Sequence, residues 1–541
     1  MSTLSDDDSA RPNRSKLIRR ISIALIISIY AFALFWRYGS IPLSICNDTA
    51  NEALLGEELL DARRLPPVAF GRLGNGSETG WLLLDGLSLK AIGHTTFAAT
   101  LPSRLAALGT LVMIGVIAHR LRDQLDPIIC LLIAASMIWM LHFGRTGFRA
   151  VGAMFLFTIA LDGLVNLLRD PKRIWPAVRI GVALALGLWT YTTIRCAVLA
   201  LIVFGVWQIV ASTCRNDGLT RTWINRFALI GAIGIVLCAP HIRMAIIDPS
   251  TYFGRGTYAL RGDFSDWVRH VGASFLLPIY TPTEYRIEVG PAHIFDAVAS
   301  ALPTVGLSPM SLLIGAAALI WVARSVLRPW FRGENRASAP RAEYRPCHPE
   351  TVGQRLVRYL VLTIVLTNVL IGFAGPSQTR LLMLAPGYVL LAGFSLTRIS
   401  NRFSQAKFFL LIGLIALIAL GWFRYFDRIS TDKANYRFAL HAKEIAEVAK
   451  SLALEGKTSL VLLRLDPDVV EFYAHDQLGM ITIEDRMAGA FESVSSDKFH
   501  SSDFVIVSTM QPDLNLLDEL SKQRPQIPIA SESWIAFGPE K

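Results

Sequence analysis

The sequence predicts a polytopic α-helical membrane protein of about eleven transmembrane helices, followed by a small C-terminal α/β domain. Three observations carry this. Of the 541 residues, 52% are hydrophobic and 18% charged, with a mean hydropathy of +0.42, which is too apolar for a soluble chain with ordinary loops. About eleven apolar stretches approach the roughly 20 residues that a helix needs to cross a hydrocarbon core about 30 Å thick. Beyond residue 424 that pattern gives way to short, alternating helical and strand patterns.

Residues 1–16 form a polar tail, and the basic RSKLIRR leads into the apolar segment Ile21 to Trp36. The segment starts like a signal sequence but runs into bulky FWRYGS with no small-residue cleavage site, so it reads as an anchor helix. The domain at 17–424 then carries spans near 17–36, 101–119, 127–143, 150–168, 176–194, 196–213, 225–243, 303–323, 357–374, 381–397 and 407–423. With the N-terminus in the cytoplasm, the loops HRLRDQ, LLRDPKR, CRNDGLTRTWINR, RPWFRGENRASAPRAEYRPCHPE and TRISNRFSQAK all fall inside, and all are basic. An odd number of spans puts the tail outside. The net charge of +10 is thus a topology signal, and no nucleic-acid partner is expected. The six cysteines are scattered, and their spacing gives neither a disulfide framework nor a zinc motif.

Two external loops are long, 37–100 and 244–302, and long loops in a compact protein are usually functional. The first holds TANEALLGEELLDARR, where Ala53, Leu54, Leu59 and Leu60 recur at helical spacing, predicting a helix along the membrane surface. Gly80 to Ile92, too short and too charged for a span, reads as a second interfacial helix. The soluble domain at 425–541 runs through ANYRFALHAKEIAEVAKSLALEG, SLVLLRL, DVVEFYAHD, MITIED, DFVIVST, LNLLDELSKQ and SWIAFG, predicting a mainly parallel sheet with helices.

Asp48 opens the first loop where a carboxylate sits at the water boundary and can act as a general base; equally, it can cap the helix that follows. Glu52, Glu57 and Glu58 read as that helix's solvated face, with Glu52 the one worth testing. Arg145, Arg149, Arg195 and Arg380 stand at external span ends, where guanidinium forks suit a phosphate at the membrane surface or snorkel from helix ends. Asp162, inside an apolar segment, needs a partner or water. Glu78, His94 and the Cys347–His348 pair have no partner at ligand spacing, so no metal site is read.

In order along residues 17–400, NDTANEALL, LPPVAFGRLGNG, GWLLLDGLSLKAIG, LPSRLAALGTLVMIGVIAHRL, HFGRTGFRAVGAMFL, LGLWTYTTIRCAVL and PSQTRLLMLAPGYVLLAG resemble the C-type glycosyltransferase superfamily. The likeness is to bacterial members similar to the dolichyl-phosphate-mannose protein mannosyltransferases and the lipid A aminoarabinose transferases. Thr49 stands where the family's second acid is usual, leaving Asp48 as the matching carboxylate, and Glu78-Thr79-Gly80 replaces the usual proline pair. The resemblance implies a sugar donor carried on a polyprenyl phosphate and a lipid, glycan or protein acceptor on the extracytoplasmic face of the cell inner membrane. It further implies Asp48 as the base, with Arg380 and Arg195 stabilising the leaving lipid phosphate. A divalent cation is left open.

The second long loop is rich in Tyr, Trp and Arg, and is expected to cover the cavity, with Arg255 and Arg269 gripping phosphate or sugar; its aromatics also suit a membrane interface. Two rival readings stand beside the enzyme: a lipid-linked sugar flippase using Asp162 and buried arginines, and a non-catalytic membrane scaffold.

Overall fold

The computed structural model describes residues 11–38, 44–63, 65–70, 76–250, 252, 264–276, 351–372, 378–429, 440–463, 467–485, 502–508, 520–522, 524–527 and 534–539. Helix α1 (Arg11–Phe35) is followed by α2 (Asn47–Asp61), a short hairpin of β1 (Val68–Phe70) and β2 (Gly76–Glu78), and α3 (Thr79–Ile92). Then come α4 (Thr96–Arg120), α5 (Pro127–Ser136), α6 (Ile138–Thr146), α7 (Ala150–Arg169), α8 (Trp175–Leu188), α9 (Ile194–Arg215), α10 (Thr220–Leu237) and α11 (Ala239–Ile247). Later helices occupy Phe264–Leu276, Val352–Gly372, Ala385–Arg402 and Ser404–Ile429.

The outer faces of these helices are apolar. On α1, Leu17, Ile21, Leu25, Ile29 and Phe32 are exposed; on α9, Ile202, Val206 and Val210; on the Ser404–Ile429 helix, Phe408, Phe409, Ile415 and Phe423. Stripes of that length are unfavourable in water and favourable against lipid tails. Among the described residues, six helices are long and apolar enough to cross a membrane, and eight spans result if each of two bent pairs is one crossing.

The bends account for the expected spans near 127–143 and 225–243, each of which is two helices. The α10–α11 pair turns by 65° at Cys238–Pro240, where Pro240 has no N–H to donate and its ring crowds the preceding turn. The α5–α6 pair turns by 58° at Met137, whose backbone is extended. The expected spans near 176–194 and 407–423 are apolar over fewer residues than the six long helices, and the one at 303–323 lies outside the described residues.

At the centre of the bundle α7 packs against α4 and α8, burying Leu111, Ile114, Phe157, Leu161 and Leu164 in one continuous core. The fully buried Asp162 takes part in this packing: Arg120 Nε donates to it at 2.7 Å, and Arg179 and Asn166 also donate. Its charge is therefore paired by neighbouring helices.

In the first loop α2 and α3 cross in backbone contact. A Cβ on Gly56 would stand 1.9 Å from the Leu82 carbonyl oxygen, and one on Gly86 2.4 Å from the Gly56 carbonyl carbon, so only two glycines permit this approach. The carboxylates of both helices are brought together as a result.

The tail holds a five-stranded sheet in the order β4 (Ile481–Asp485), β3 (Ser459–Leu463), β5 (Phe504–Ser508), β7 (Trp534–Phe537), β6 (Gln526–Ile527). The β4–β3–β5 half is parallel, while β7 runs antiparallel to both β5 and β6. The sheet is thus mixed rather than mainly parallel, because the connection from β6 to β7 is too short for the crossover that a parallel pair needs. Helices Leu440–Leu454 and Pro467–Ala474 cover it.

The tail also packs on the first loop. Ile45, Ala50, Ala53, Ala98 and Ala99 share one apolar cluster with Ala442, Ile445, Ala449 and Phe472, and Thr96 Oγ1 lies 2.7 Å from the Tyr473 hydroxyl. Segments that touch in this way lie on one side of the membrane.

Candidate active site

The α6–α7 turn sets the geometry. Gly147 ends α6 in the left-handed region, at φ +92°, and a Cβ there would meet Thr49 Cγ2 at 2.6 Å, so the residue is glycine on both counts. The Thr49 hydroxyl donates to the Thr146 carbonyl at 3.1 Å, which fixes the turn against the start of α2. Arg149, two residues on, is thereby directed into the α2–α3 crossing.

Arg149 is buried there among acids. Its Nη1 lies 2.8 Å from Glu52 Oε1 and its Nε 3.8 Å from Glu78 Oε2, and both carboxylates are buried. Glu78 reaches this position because the β1–β2 hairpin, with Val68 opposite Glu78, delivers it to the first residue before α3. Burial alone would pull the Arg149 pKa down, but the charges of Glu52 and Glu78, then Tyr191 and Asp48, hold it above the usual value. Its guanidinium stands 5.5 Å from the Tyr191 ring centre. On α3, buried Asp85 has a carboxyl pushed well above the usual range, first by burial and then by Glu52, against the pull of Arg149 and Trp81.

Asp48 is exposed in the first turn of α2. The N-cap position belongs to Cys46, with no side-chain cap, so the capping alternative for Asp48 does not hold. What remains is a solvent-facing carboxylate at the edge of a buried cation network, near a helix N-terminus that favours its charge.

Arg195, in the first turn of α9, lies 5.0 Å from the Tyr252 ring centre. The Tyr252 hydroxyl is 3.2 Å from His241 Nδ1, and the His241 ring meets Trp189 edge-on at 4.5 Å. Burial raises the Tyr252 pKa; Arg195 opposes this and the charge of Glu78 adds to it. Arg149 is thus coupled electrostatically to Glu52, Glu78, Tyr191 and Asp48, and Glu78 in turn to Tyr252 and, through it, to Arg195.

This overall architecture is similar to two solved structures. One is ArnT from Cupriavidus metallidurans bound to undecaprenyl phosphate, 12% identical, with a TM-score of 0.54 over 95% of this chain and 97% of that one. The other is the Archaeoglobus fulgidus oligosaccharyltransferase in complex with Zn and sulfate, 11% identical, with a TM-score of 0.51 over 90% of this chain and 68% of that one. The chain has the C-type glycosyltransferase fold. No protein-family model matches the chain, and no curated protein matches it in sequence.

Within this C-type glycosyltransferase fold the remaining candidates separate. Arg145 is fully buried and donates to the carbonyls of Ala33, Leu34 and Trp36, the last two at 3.0 and 2.9 Å. It satisfies the open C-terminal end of α1. Arg380 is half-buried on the short helix Gln378–Leu381. Arg269 is exposed on the Phe264–Leu276 helix, which Trp267 ties to the Val369 carbonyl at 3.2 Å. Arg255, Cys347, His348 and most of the second long loop lie outside the described residues.

Two expectations need correction. Of the three α2 glutamates only Glu58 is exposed; Glu52 is buried on Arg149, and Glu57 is half-buried beside His94. His94 is not alone: it stacks on His475, and Glu57, His94 and His475 bring three ligand atoms within 4.8 Å of one another. Among the described residues this is the group that could hold a metal ion. Sequence reasoning also passed over Tyr191, Tyr252, His241 and Asp85. The TYTTIR stretch carried a signal for the first.

Proposed function

We propose that the protein is a membrane glycosyltransferase that moves a sugar from a polyprenyl-phosphate donor to an acceptor hydroxyl at the extracytoplasmic face of the inner membrane, the face on which this reading also sets the tail. The observation that carries it is the solvent-facing Asp48 coupled to buried Arg149, in a group of charges that Glu78 extends to Tyr252 and Arg195. Support comes from the fold shared with a protein crystallised with undecaprenyl phosphate.

In this reading the acceptor oxygen attacks the anomeric carbon and its proton passes to Asp48, a general base open to an incoming acceptor. The bond from the anomeric carbon to the phosphate oxygen breaks, its electron pair stays on that oxygen, and the products are the glycosylated acceptor and the polyprenyl phosphate. Arg195 and Arg380 stabilise the charge that develops on the phosphate. Arg149, its charge compensated by Glu52 and Glu78, keeps α2 and its Asp48 in place. Arg145 is a positioning residue, because its N–H groups serve α1.

A flippase reading drew on Asp162 as a polar step in a substrate path. Its ion pairs with Arg120 and Arg179 give that carboxylate a structural role instead. The deciding experiment is sugar transfer from polyprenyl-phosphate sugars by the purified protein in lipid, across a panel of acceptors. Transfer by the wild type that is lost in Asp48→Asn supports both the activity and the base; equal transfer moves the base elsewhere; none with either protein returns the case to transport.

A further inference from the structure

Where the tail meets the first loop, three metal-binding side chains converge from three places in the chain. Glu57 lies on α2, His94 in the turn before α4, and His475 just after the Pro467–Ala474 helix. Glu57 Oε2 is 2.9 Å from His94 Nε2 and 3.9 Å from His475 Nε2. The two imidazoles stack with centres 4.0 Å apart and planes 17° from parallel. Side-chain exposure is 15%, 13% and 38% for Glu57, His94 and His475.

Protein contacts alone leave this group poorly satisfied. The His475 Nε2 is beyond hydrogen-bonding distance of Glu57, and its buried Nδ1 has no hydrogen-bond partner. A tetrahedral zinc ion with bonds of about 2.0–2.2 Å holds its donor atoms roughly 3.3–3.5 Å apart, which falls between the two distances seen here. Two imidazole nitrogens and one carboxylate oxygen suit zinc better than magnesium or calcium, which prefer all-oxygen shells.

We propose that Glu57, His94 and His475 bind one zinc ion that clamps the tail to the first loop, with a fourth position open to water. Parallel rings aim their lone pairs side by side, so occupancy turns one ring about its Cβ–Cγ bond; His475, the more exposed, has room to do so. The surroundings are already assembled: Phe472 meets His94 edge-on at 5.6 Å, and the Thr96–Tyr473 hydrogen bond holds the same helix. A site formed only in the folded chain contributes its binding free energy to that docking. The clamp does not depend on the role given to Asp48.

The test uses the full-length protein in lipid nanodiscs, stripped with a chelator and re-equilibrated with zinc. Metal content is measured by mass spectrometry, and tail docking by the rate of limited proteolysis. One zinc per chain is expected, with affinity at least about 100-fold weaker in His475→Asn and unchanged in Glu58→Gln. Zinc should slow tail cleavage about tenfold or more in the wild type alone. No retained zinc in the wild type, or equal retention in His475→Asn, overturns the proposal. Should the variant not fold, cobalt-loaded wild type decides: a tetrahedral visible absorption band supports the site, and its absence at saturating cobalt overturns it.

Discussion

Removing the cation at the α2–α3 crossing should unfold the protein before it alters any chemistry. Arg149→Met leaves Glu52 and Glu78 buried without their counter-charge. At an effective dielectric of about 20, unit charges about 4 Å apart attract by about 4 kcal/mol, and removing one partner of a buried pair costs about 3–5 kcal/mol. We therefore expect a loss of about 3–5 kcal/mol in equilibrium unfolding followed in mixed micelles. Adding Glu52→Gln removes the stranded charge with little change in shape, so the double variant should regain about 2 kcal/mol over the single one. Arg149→Lys keeps the charge but cannot reach both acids with a planar fork, and should fall between wild type and Arg149→Met. A loss below about 1 kcal/mol in Arg149→Met, or a double variant no more stable than the single one, refutes the argument that this pair is a mutually dependent buried network.

Asp48→Asn should cut transfer by about 10²- to 10⁴-fold with unfolding unchanged, because the carboxylate is exposed; parallel transfer and unfolding measurements check both halves. Gly56→Ala should cost about 2–4 kcal/mol, since its methyl meets backbone rather than a side chain that can move; thermal unfolding with crosslinking of α2 to α3 reads the loss. Arg145→Ala removes the donor to the Ala33 and Trp36 carbonyls at the end of α1, while Arg104 still serves Leu34, and should destabilise by about 2–4 kcal/mol, whereas Arg195→Ala weakens donor binding with little effect on stability. Buried His441 has a pKa lowered by desolvation from 6.5 to about 4. Folding keeps it neutral, so its contribution is intact above pH 6.5 and is lost as the pH falls toward 4. Acid should therefore weaken the tail by up to roughly 3 kcal/mol across that window, and His441→Phe should flatten the profile of tail proteolysis against pH.

The parts of this molecule that can be read from sequence are those written in local period. The long apolar helices, α2 and α3 followed from residue spacing, because a helix repeats its environment every 3.6 residues. Pro240 marks the α10–α11 bend that the single expected span 225–243 missed, whereas the α5–α6 bend at Met137 has no proline or glycine to announce it. For the site, Arg145 and Arg149 carry the same local signal, four residues apart on one turn. Only the packing separates them, sending one to the end of α1 and the other to Glu52 and Glu78. Glu52 looked solvated because an amphipathic pattern counts a helix's own apolar residues and is blind to a cation arriving from another helix. His94 lacked a partner for the same reason: His475 comes from the far end of the chain and is joined to it by folding alone.

The apolar cluster shared by the first loop and the tail has a consequence for the order in which the protein is made. Ala50, Ala53, Ala98 and Ala99 leave the ribosome well before the side chains that cover them, Ala442, Ile445 and Phe472, which follow only after all the long apolar helices. For most of synthesis the α2 surface must wait without its cover, and a chain interrupted before residue 440 exposes that surface permanently. Synthesis through Phe472 is thus built into the local environment of α2, the helix that carries Asp48. A truncated product with every long apolar helix inserted would still present quality-control proteases with an uncovered edge.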